Sequence, residues 1–232
     1  KFAVFHNRKL VEIFTDLSVN ELESLISKFD IQKSILSSVS KTAEIFEDVL
    51  KNETQYIRFS TGIKSAIKIK YKTPQTLGLD RFAVVIAANA MYPNKNCLVI
   101  DAGTCITYDA VDQAGNYTGG SISPGLNMRL KAMHEQTGRL PLVKLDENFT
   151  DDEGTDTSSA ILSGVVNGTF GEVLAFINTY NSRYSNLQIL LCGGDANFFD
   201  TRLKSSIFAH TYKTEPHLVL IGLNEVIHQY ND

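Results

Sequence analysis

The sequence predicts an α/β protein built from two copies of one unit, in which a strand hairpin leads into alternating helices and strands. Along the 232 residues, strand-length apolar runs alternate with helix-length amphipathic stretches. The order strand, strand, helix, strand, helix, strand that opens the chain nearly recurs from about Asn96. The run "NCLVIDAGTCITYDAV", residues 96 to 111, breaks at Asp-Ala-Gly-Thr and resumes at once as a second strand. A plain hairpin tip needs neither that aspartate nor that threonine, whereas a loop that holds a phosphate does.

The first half, residues 1–95, opens with "KFAVFHNRKLVEIF", a hairpin with strands over Phe2–Phe5 and Leu10–Phe14 and a turn at His6–Arg8. Ser18 is placed to cap a helix over Asn20–Lys28, whose Leu22, Leu25 and Ile26 form an apolar stripe. "QKSILSSVS" then reads as a strand, "KTAEIFEDVLKN" as a helix and "TQYIRFS" as a strand. In "SAIKIKY", Ile67, Ile69 and Tyr71 share one face and Lys68, Lys70 and Lys72 the other. Pro74 and Gly78 make an irregular loop before an almost wholly apolar helix that follows Asp80.

The second half, residues 96–232, carries expected strands at Cys97–Ile100, Ile106–Val111 and Tyr117–Ile122. A helix follows "SPG", with Ser123 as its cap and Pro124 in its first position. A long helix covers about Thr157 to Asn181, "LQILLC" is a buried strand, and a last helix lies near Pro216–Tyr230. In this half "LVIDAGT" precedes the hairpin, while nothing stands before "KFAVFHNRKLVEIF". The repeat therefore predicts that a first strand and its phosphate loop are missing ahead of Lys1.

Composition narrows the function. Net charge is −4, which argues against a general nucleic-acid binder. No apolar run approaches the roughly 20 residues that span a bilayer, and no basic-then-apolar leader is visible, so no membrane association is expected. Cys97, Cys105 and Cys192 lie in apolar strand-like runs without Cys-x-x-Cys spacing. They read as buried free thiols of a reducing cytoplasm and not as a zinc site. His6, His134, His210, His217 and His228 show no ligand spacing with one another.

Four stretches can carry chemistry, and each also has a purely structural reading. Gly103 permits a turn that aims amides into a concavity suited to phosphate oxygens. At that turn Asp101 can hold a cation or its waters and Thr104 can offer a hydroxyl; the alternative is a hairpin with a capped turn. Asp80 and Arg81, at the mouth of the apolar helix, suit an alcohol and an anion respectively. Structurally, they would be an N-cap and a solvated first-turn residue. Thr157, at a helix start, is a cap or a substrate contact. Gly193–Gly194 let a flat ring approach the backbone, or simply make a tight strand-to-helix turn. Gly164, Gly168 and Gly171 form one bare helical face, read as a packing device.

Taken in order, "GLDR", "DAGTCITYD", "YTGGSISPG", "TGRLP", "TDTSSAILSG" and "LCGGDA" resemble the type III pantothenate kinases, also known as the Bvg accessory factor family. That family sits within the acetate and sugar kinase/Hsp70/actin superfamily, whose members are built from duplicated ribonuclease H-like α/β domains. The resemblance runs from about Tyr71 to the end of the chain; the first third agrees in pattern only. It implies ATP-dependent phosphorylation of pantothenate to 4'-phosphopantothenate, the first step of coenzyme A biosynthesis, in the cytoplasm. The alternative is a non-catalytic regulatory or accessory protein on the same fold.

The resemblance also implies residue roles. Asp80 falls on the family's catalytic proton acceptor, and Gly78, Leu79, Asp80 and Arg81 on its substrate segment. Tyr71 and Thr157 match further substrate contacts. Asp101 matches the site of a monovalent cation, K+ or NH4+, used besides Mg2+ and ATP. Thr104 and the Gly193–Gly194 turn match ATP contacts. Lys1 matches the last residue of the first phosphate loop, Asp-x-Gly-Asn-[Thr/Ser]-x-x-Lys, which is otherwise absent here. Cys105 stands where the family often has alanine. A homodimer is implied, because in this family a second subunit completes the pantothenate pocket.

Overall fold

The computed structural model describes residues 1–38 and 43–229. In chain order its elements are β1 (Phe2–His6), β2 (Lys9–Phe14), α1 (Val19–Lys28), β3 (Lys33–Leu36), α2 (Ala43–Glu53), β4 (Gln55–Arg58), β5 (Lys68–Ile69) and α3 (Leu79–Met91). They continue with β6 (Cys97–Ala102), β7 (Cys105–Val111), β8 (Asn116–Pro124), α4 (Leu126–Glu135) and α5 (Thr157–Arg183). The chain ends with β9 (Gln188–Cys192), α6 (Ala196–Leu203), β10 (Tyr212–Thr214) and α7 (Leu218–Gln229). The α/β expectation holds. Residues 39 and 40 of the expected third strand, 41 and 42 of the expected second helix, and Tyr230 of the last helix lie outside the described residues.

The chain forms two compact units. The first comprises Lys1–Met91, Gly115–Tyr117 and Leu218–Asp232, the second Tyr92–Ala114 and Thr118–His217. Within the first unit, β1 and β2 pair antiparallel and β3 and β4 pair parallel. Ser18 caps α1 as expected, and Glu21 accepts a hydrogen bond from the cap amide in return. Leu22 and Ile26 of α1 bury against Leu50 of α2, with Phe2, Leu36 and Tyr56 packed around them. A cavity of about 550 Å³ lies between β1 and β3 and is floored by Leu220, Leu223 and Ile227 of α7. β5 is shorter than the alternating "SAIKIKY" predicts; it pairs with Asn116 and Tyr117 at the head of β8.

Helix α3 is buried continuously from Arg81 to Ala88. A helix that is apolar all round must be enclosed, and α7 encloses it. Gly222 of α7 is the point of closest approach: a Cβ there would lie 1.9 Å from the Ala83 carbonyl oxygen. Removing the side chain lets the two backbones meet, which fixes where the N-terminal turn of α3 points. Phe82, fully buried on that turn, stacks on Phe59 at 5.5 Å. Burying a ring of this size contributes roughly 2–3 kcal/mol.

The second unit is built on a sheet with strand order β10-β9-β6-β7-β8. Its centre, β6, pairs parallel with β9 and antiparallel with β7. A strand covered on both faces reads as a continuous apolar run, which is why "CLVI" shows no alternation. Leu98, Ile100 and Ala102 point into the main core with Ile161, Val165, Val166, Val173 and Ile177 of α5. α5 contradicts one expectation. By length and composition it could cross a membrane, with mean hydropathy 1.6 over its most apolar 18 residues. Its apolar stripe instead packs in this core. β10 had no counterpart in the sequence reading.

None of the three cysteines forms a disulfide: Cys97 and Cys192 are buried and Cys105 is half-buried. The glycine face of α5 differs from expectation. Apart from the helix's own neighbouring backbone, no described atom lies within 4 Å of where a Cβ would stand on Gly164, Gly168 or Gly171, so among the described residues no other backbone uses this face.

Candidate active site

In the second unit, three backbone turns meet at the carboxyl ends of β6 and β9. Crevices at such strand ends are where open α/β sheets bind ligands. Asp101 stands opposite Cys192 in the β6–β9 ladder. After it the chain turns through Gly103, whose N–H donates to the Cys105 carbonyl at 2.9 Å, leaving Thr104 exposed at the tip. The second turn is Gly193–Gly194. Gly193 has φ +94°, and a Cβ there would fall 2.2 Å from the Ala102 oxygen and 2.4 Å from Asp101 Oδ1. Only glycine fits. The Asp195 N–H then donates to Ala102 at 2.8 Å, and α6 begins.

The third turn is Pro124–Gly125. The Gly125 N–H donates to the Thr104 carbonyl at 3.0 Å, and a Cβ on Gly125 would lie 2.0 Å from the Gly103 oxygen. Here the structure corrects the sequence reading. Ser123 and Pro124 belong to β8, and Gly125 is the N-cap of α4, without a side-chain capping bond. Ser123 does not cap because its hydroxyl donates to Glu172 instead. A helix N-terminus with uncapped amides beside a glycine turn is a favourable place for an anion.

The charges here are acidic and partly buried. Burial pushes the Cys192 thiol well above its ordinary value, reinforced by the Asp101 carboxylate that accepts its hydrogen bond and by Asp109 and Glu215. Burial also raises the Asp195 carboxyl, with the nearby negative charge of Glu147 adding to it. Thr107 stands directly across from Asp101 on β7, and its Oγ1 is buried without a hydrogen-bond partner. Among the described residues, no group of three or more His, Cys, Asp or Glu side chains is gathered to chelate a metal ion.

In the first unit, Tyr71, Gly78, Leu79, Asp80 and Arg81 gather around the N-terminal turn of α3. Asp80 is not the N-cap, since Leu79 is already helical. Its Oδ1 accepts the Arg81 N–H at 2.8 Å, and a Cβ on Gly78 would lie 2.6 Å from that oxygen. The carboxylate thus folds back over a bare glycine while Asp80 itself stays exposed. Nor is Arg81 solvated: it is 5% exposed, with its guanidinium 5.9 Å from the Tyr71 ring. Tyr71 in turn stacks on Tyr117 at 6.4 Å, the planes inclined by 7°.

Thr157 is exposed in the first turn of α5 and does not cap it. Asp156 does, accepting from the Ser158 and Ser159 amides. Lys1 is exposed immediately before β1. The structure therefore joins Tyr71 with Arg81 and Gly78 with Asp80 in one unit, and Asp101 with Gly193 in the other. It adds Thr107, Gly125, Glu172 and Asp195, which the sequence reading missed. Of these, Asp195 directly follows the glycine pair, and Glu172 is the single acidic residue of the long apolar α5; both signals were available.

The family model described as type III pantothenate kinase matches residues 6–179. A type III pantothenate kinase of Bacteroides fragilis strain YCH46 is 42% identical over 234 residues, covering 100% of this chain and 94% of that protein. One from Christiangramia forsetii is 42% identical over 231 residues, covering 98% and 93%. Among solved structures, a Baf family transcriptional activator from Campylobacter jejuni is similar in fold. It matches with a TM-score of 0.56 and 20% identity, covering 93% of this chain and 89% of that one.

Proposed function

This chain belongs to the type III pantothenate kinase family and carries out the ATP-dependent phosphorylation of pantothenate that serves coenzyme A biosynthesis; we propose that Asp80 is the group that orients the pantothenate hydroxyl and accepts its proton. One observation supports this above all: the Asp80 carboxylate is exposed yet pinned by the amide of the next residue. Phosphoryl transfer passes through a loose transition state, so positioning and charge neutralisation dominate. A carboxylate held in one place is what that chemistry needs, and it need not be a strong base. The direct test is ATP-dependent phosphorylation of pantothenate by the protein and by its Asp80→Asn variant.

The neighbouring residues take substrate roles in this reading. Gly78 leaves room for the carboxylate, and Leu79 sets the start of the helix. Arg81, buried beneath Tyr71, supplies positive charge for an anionic part of the substrate. Thr157 contributes an exposed hydroxyl at the head of α5.

As a kinase of this family the protein uses ATP with a divalent metal ion. When bound, that ion neutralises phosphate charge, and an ion of the Mg2+ type keeps several waters and leans on few protein carboxylates. The carboxylates of Asp101 and Asp195, beside the Gly193–Gly194 turn, are the groups that would hold such an ion or its waters. Thr104 and the Gly193–Gly194 turn are proposed as nucleotide contacts, on the strength of the converging turns. Asp101 is proposed to hold a monovalent cation, K+ or NH4+. The residues fit such an ion: the orphaned Thr107 Oγ1 stands across from the Asp101 carboxylate, and both offer hard oxygen donors.

We read the two units as copies of one design. In the second, β6 lies between β9 and β7; in the first, a cavity lies between β3 and β1. Lys1 precedes β1 as Thr104 precedes β7, which supports a phosphate contact for Lys1. The protein is further proposed to be a cytoplasmic homodimer, with the open glycine face of α5 available to a second copy. Sedimentation at the mass of one chain would refute the dimer.

A further inference from the structure

We infer that Glu172 is a positioning residue for the nucleotide end of this reaction, holding the Asp101–Thr104 loop through Arg129 and the Pro124–Gly125 turn. The inference rests on the kinase reading above, because it assigns that loop to the nucleotide.

The contacts form an unbroken chain within the second unit. The half-buried Glu172 carboxylate accepts from the Tyr108 hydroxyl at 2.9 Å, from the Ser123 hydroxyl, and from Arg129 Nη2, with which it forms an ion pair. Arg129 also donates through Nε to the Pro124 carbonyl at 2.8 Å and through Nη2 to Ser123 Oγ at 3.3 Å. The next residue, Gly125, donates its N–H to Thr104 and leaves no room for a side chain against Gly103. One carboxylate on α5 thus fixes β7 through Tyr108, the end of β8 through Ser123, and the entry to α4 through Arg129.

The geometry has a directional consequence. Arg129 lies one helical turn beyond Gly125 and folds back to grip the peptide that enters its own helix. With its counter-charge gone, the guanidinium loses the partner that orients it, even where a glutamine oxygen still accepts from Tyr108 and Ser123. The Pro124–Gly125 turn is then free to shift against Gly103 and Thr104. Asp80, Arg81 and Tyr71 make none of these contacts, so the effect belongs to the nucleotide and not to pantothenate.

The test is Glu172→Gln, which keeps shape and removes charge. The expected result is a KM for ATP raised about tenfold, the size of one lost charge-assisted hydrogen bond, with the KM for pantothenate unchanged. Calorimetric binding of a non-hydrolysable ATP analogue, with no pantothenate present, should weaken by the same factor. Arg129→Gln should reproduce the split, and the double variant should be no worse than either single one, as expected of two members of one network. Ser123→Ala, which leaves the Glu172–Arg129 ion pair in place but removes the hydroxyl bonded to both, should move the KM for ATP in the same direction by about tenfold or less. Equal changes in both KM values, an unchanged KM for ATP in either variant, or additive effects in the double variant would overturn the inference. A wild-type protein that binds the analogue but leaves pantothenate untouched would instead overturn the pantothenate reading, and the binding measurements would still decide the role of Glu172.

Discussion

The guanidinium of Arg81 lies 5.9 Å from the centre of the Tyr71 ring, buried at 5% exposure directly beside an exposed Asp80. A buried cation is costly unless it is paired or stacked. Adjacent residues in one helical turn therefore differ sharply: the carboxylate is offered to solvent and the guanidinium is withdrawn beneath an aromatic.

That contrast makes Arg81→Lys non-conservative. Lysine lacks the planar fork and stacks poorly, so kcat/KM for pantothenate should fall by at least about tenfold. Tyr71→Phe, which keeps the ring, should fall by much less than Tyr71→Leu. Steady-state kinetics on the three variants decides it; equal losses in Phe and Leu would mean the stacking is irrelevant.

Gly125→Ala places a methyl where the Gly103 carbonyl oxygen now stands, 2.0 Å from the would-be Cβ. Overpacking of this kind costs about 1–3 kcal/mol, taken up either by the loop or by α4. We expect weaker ATP binding with little change in pantothenate KM, read by titrating each substrate separately. An unchanged ATP affinity would show that the turn tolerates displacement.

Asp101→Ala should weaken activation by potassium, measured as the ratio of rates with and without the ion at fixed ionic strength. The same variant removes the acceptor for the Cys192 thiol, so a melting curve must accompany the kinetics. A potassium dependence equal to that of the wild type would take the cation away from Asp101.

Acid should act on the second unit through Glu172. Burial alone would raise its pKa, but hydrogen bonds from Ser123, Arg129 and Tyr108 outweigh burial and hold it below the ordinary value of 4.5. A carboxylate with a depressed folded-state pKa contributes stability above its unfolded pKa and loses it as pH falls through the folded one. Melting temperature should therefore decline below about pH 4.5 in the wild type, and less steeply in Glu172→Gln. Parallel pH profiles for the two proteins would exclude this carboxylate as a contributor.

Much of the architecture was legible because local rules governed it. The Ser18 cap of α1, the opening hairpin and the strand at Cys97–Ile100 each follow from residues near in sequence. What was not legible depended on distant partners. Arg81 reads as a solvated helix-start residue until Tyr71 covers it. Ser123 reads as a cap until Glu172, 49 residues away, takes its hydroxyl. α7 closes the first unit from the far end of the chain, through a glycine fitted to Ala83, and no local pattern announces that pairing. Asp80 reads as the cap of α3 but stands two positions further in, because a carboxylate accepting the next amide looks in sequence like a cap.

The most direct measurement is the rate at which purified Asp80→Asn forms phosphopantothenate from pantothenate and ATP-Mg2+, against the wild type in the same potassium buffer. Asparagine can still accept the Arg81 amide, so the fold should persist with an unchanged melting curve. The wild type should turn over, and the variant should be slower by about 10²–10⁴-fold, the usual worth of a positioned acid–base group. A variant as fast as the wild type would contradict the role given to Asp80.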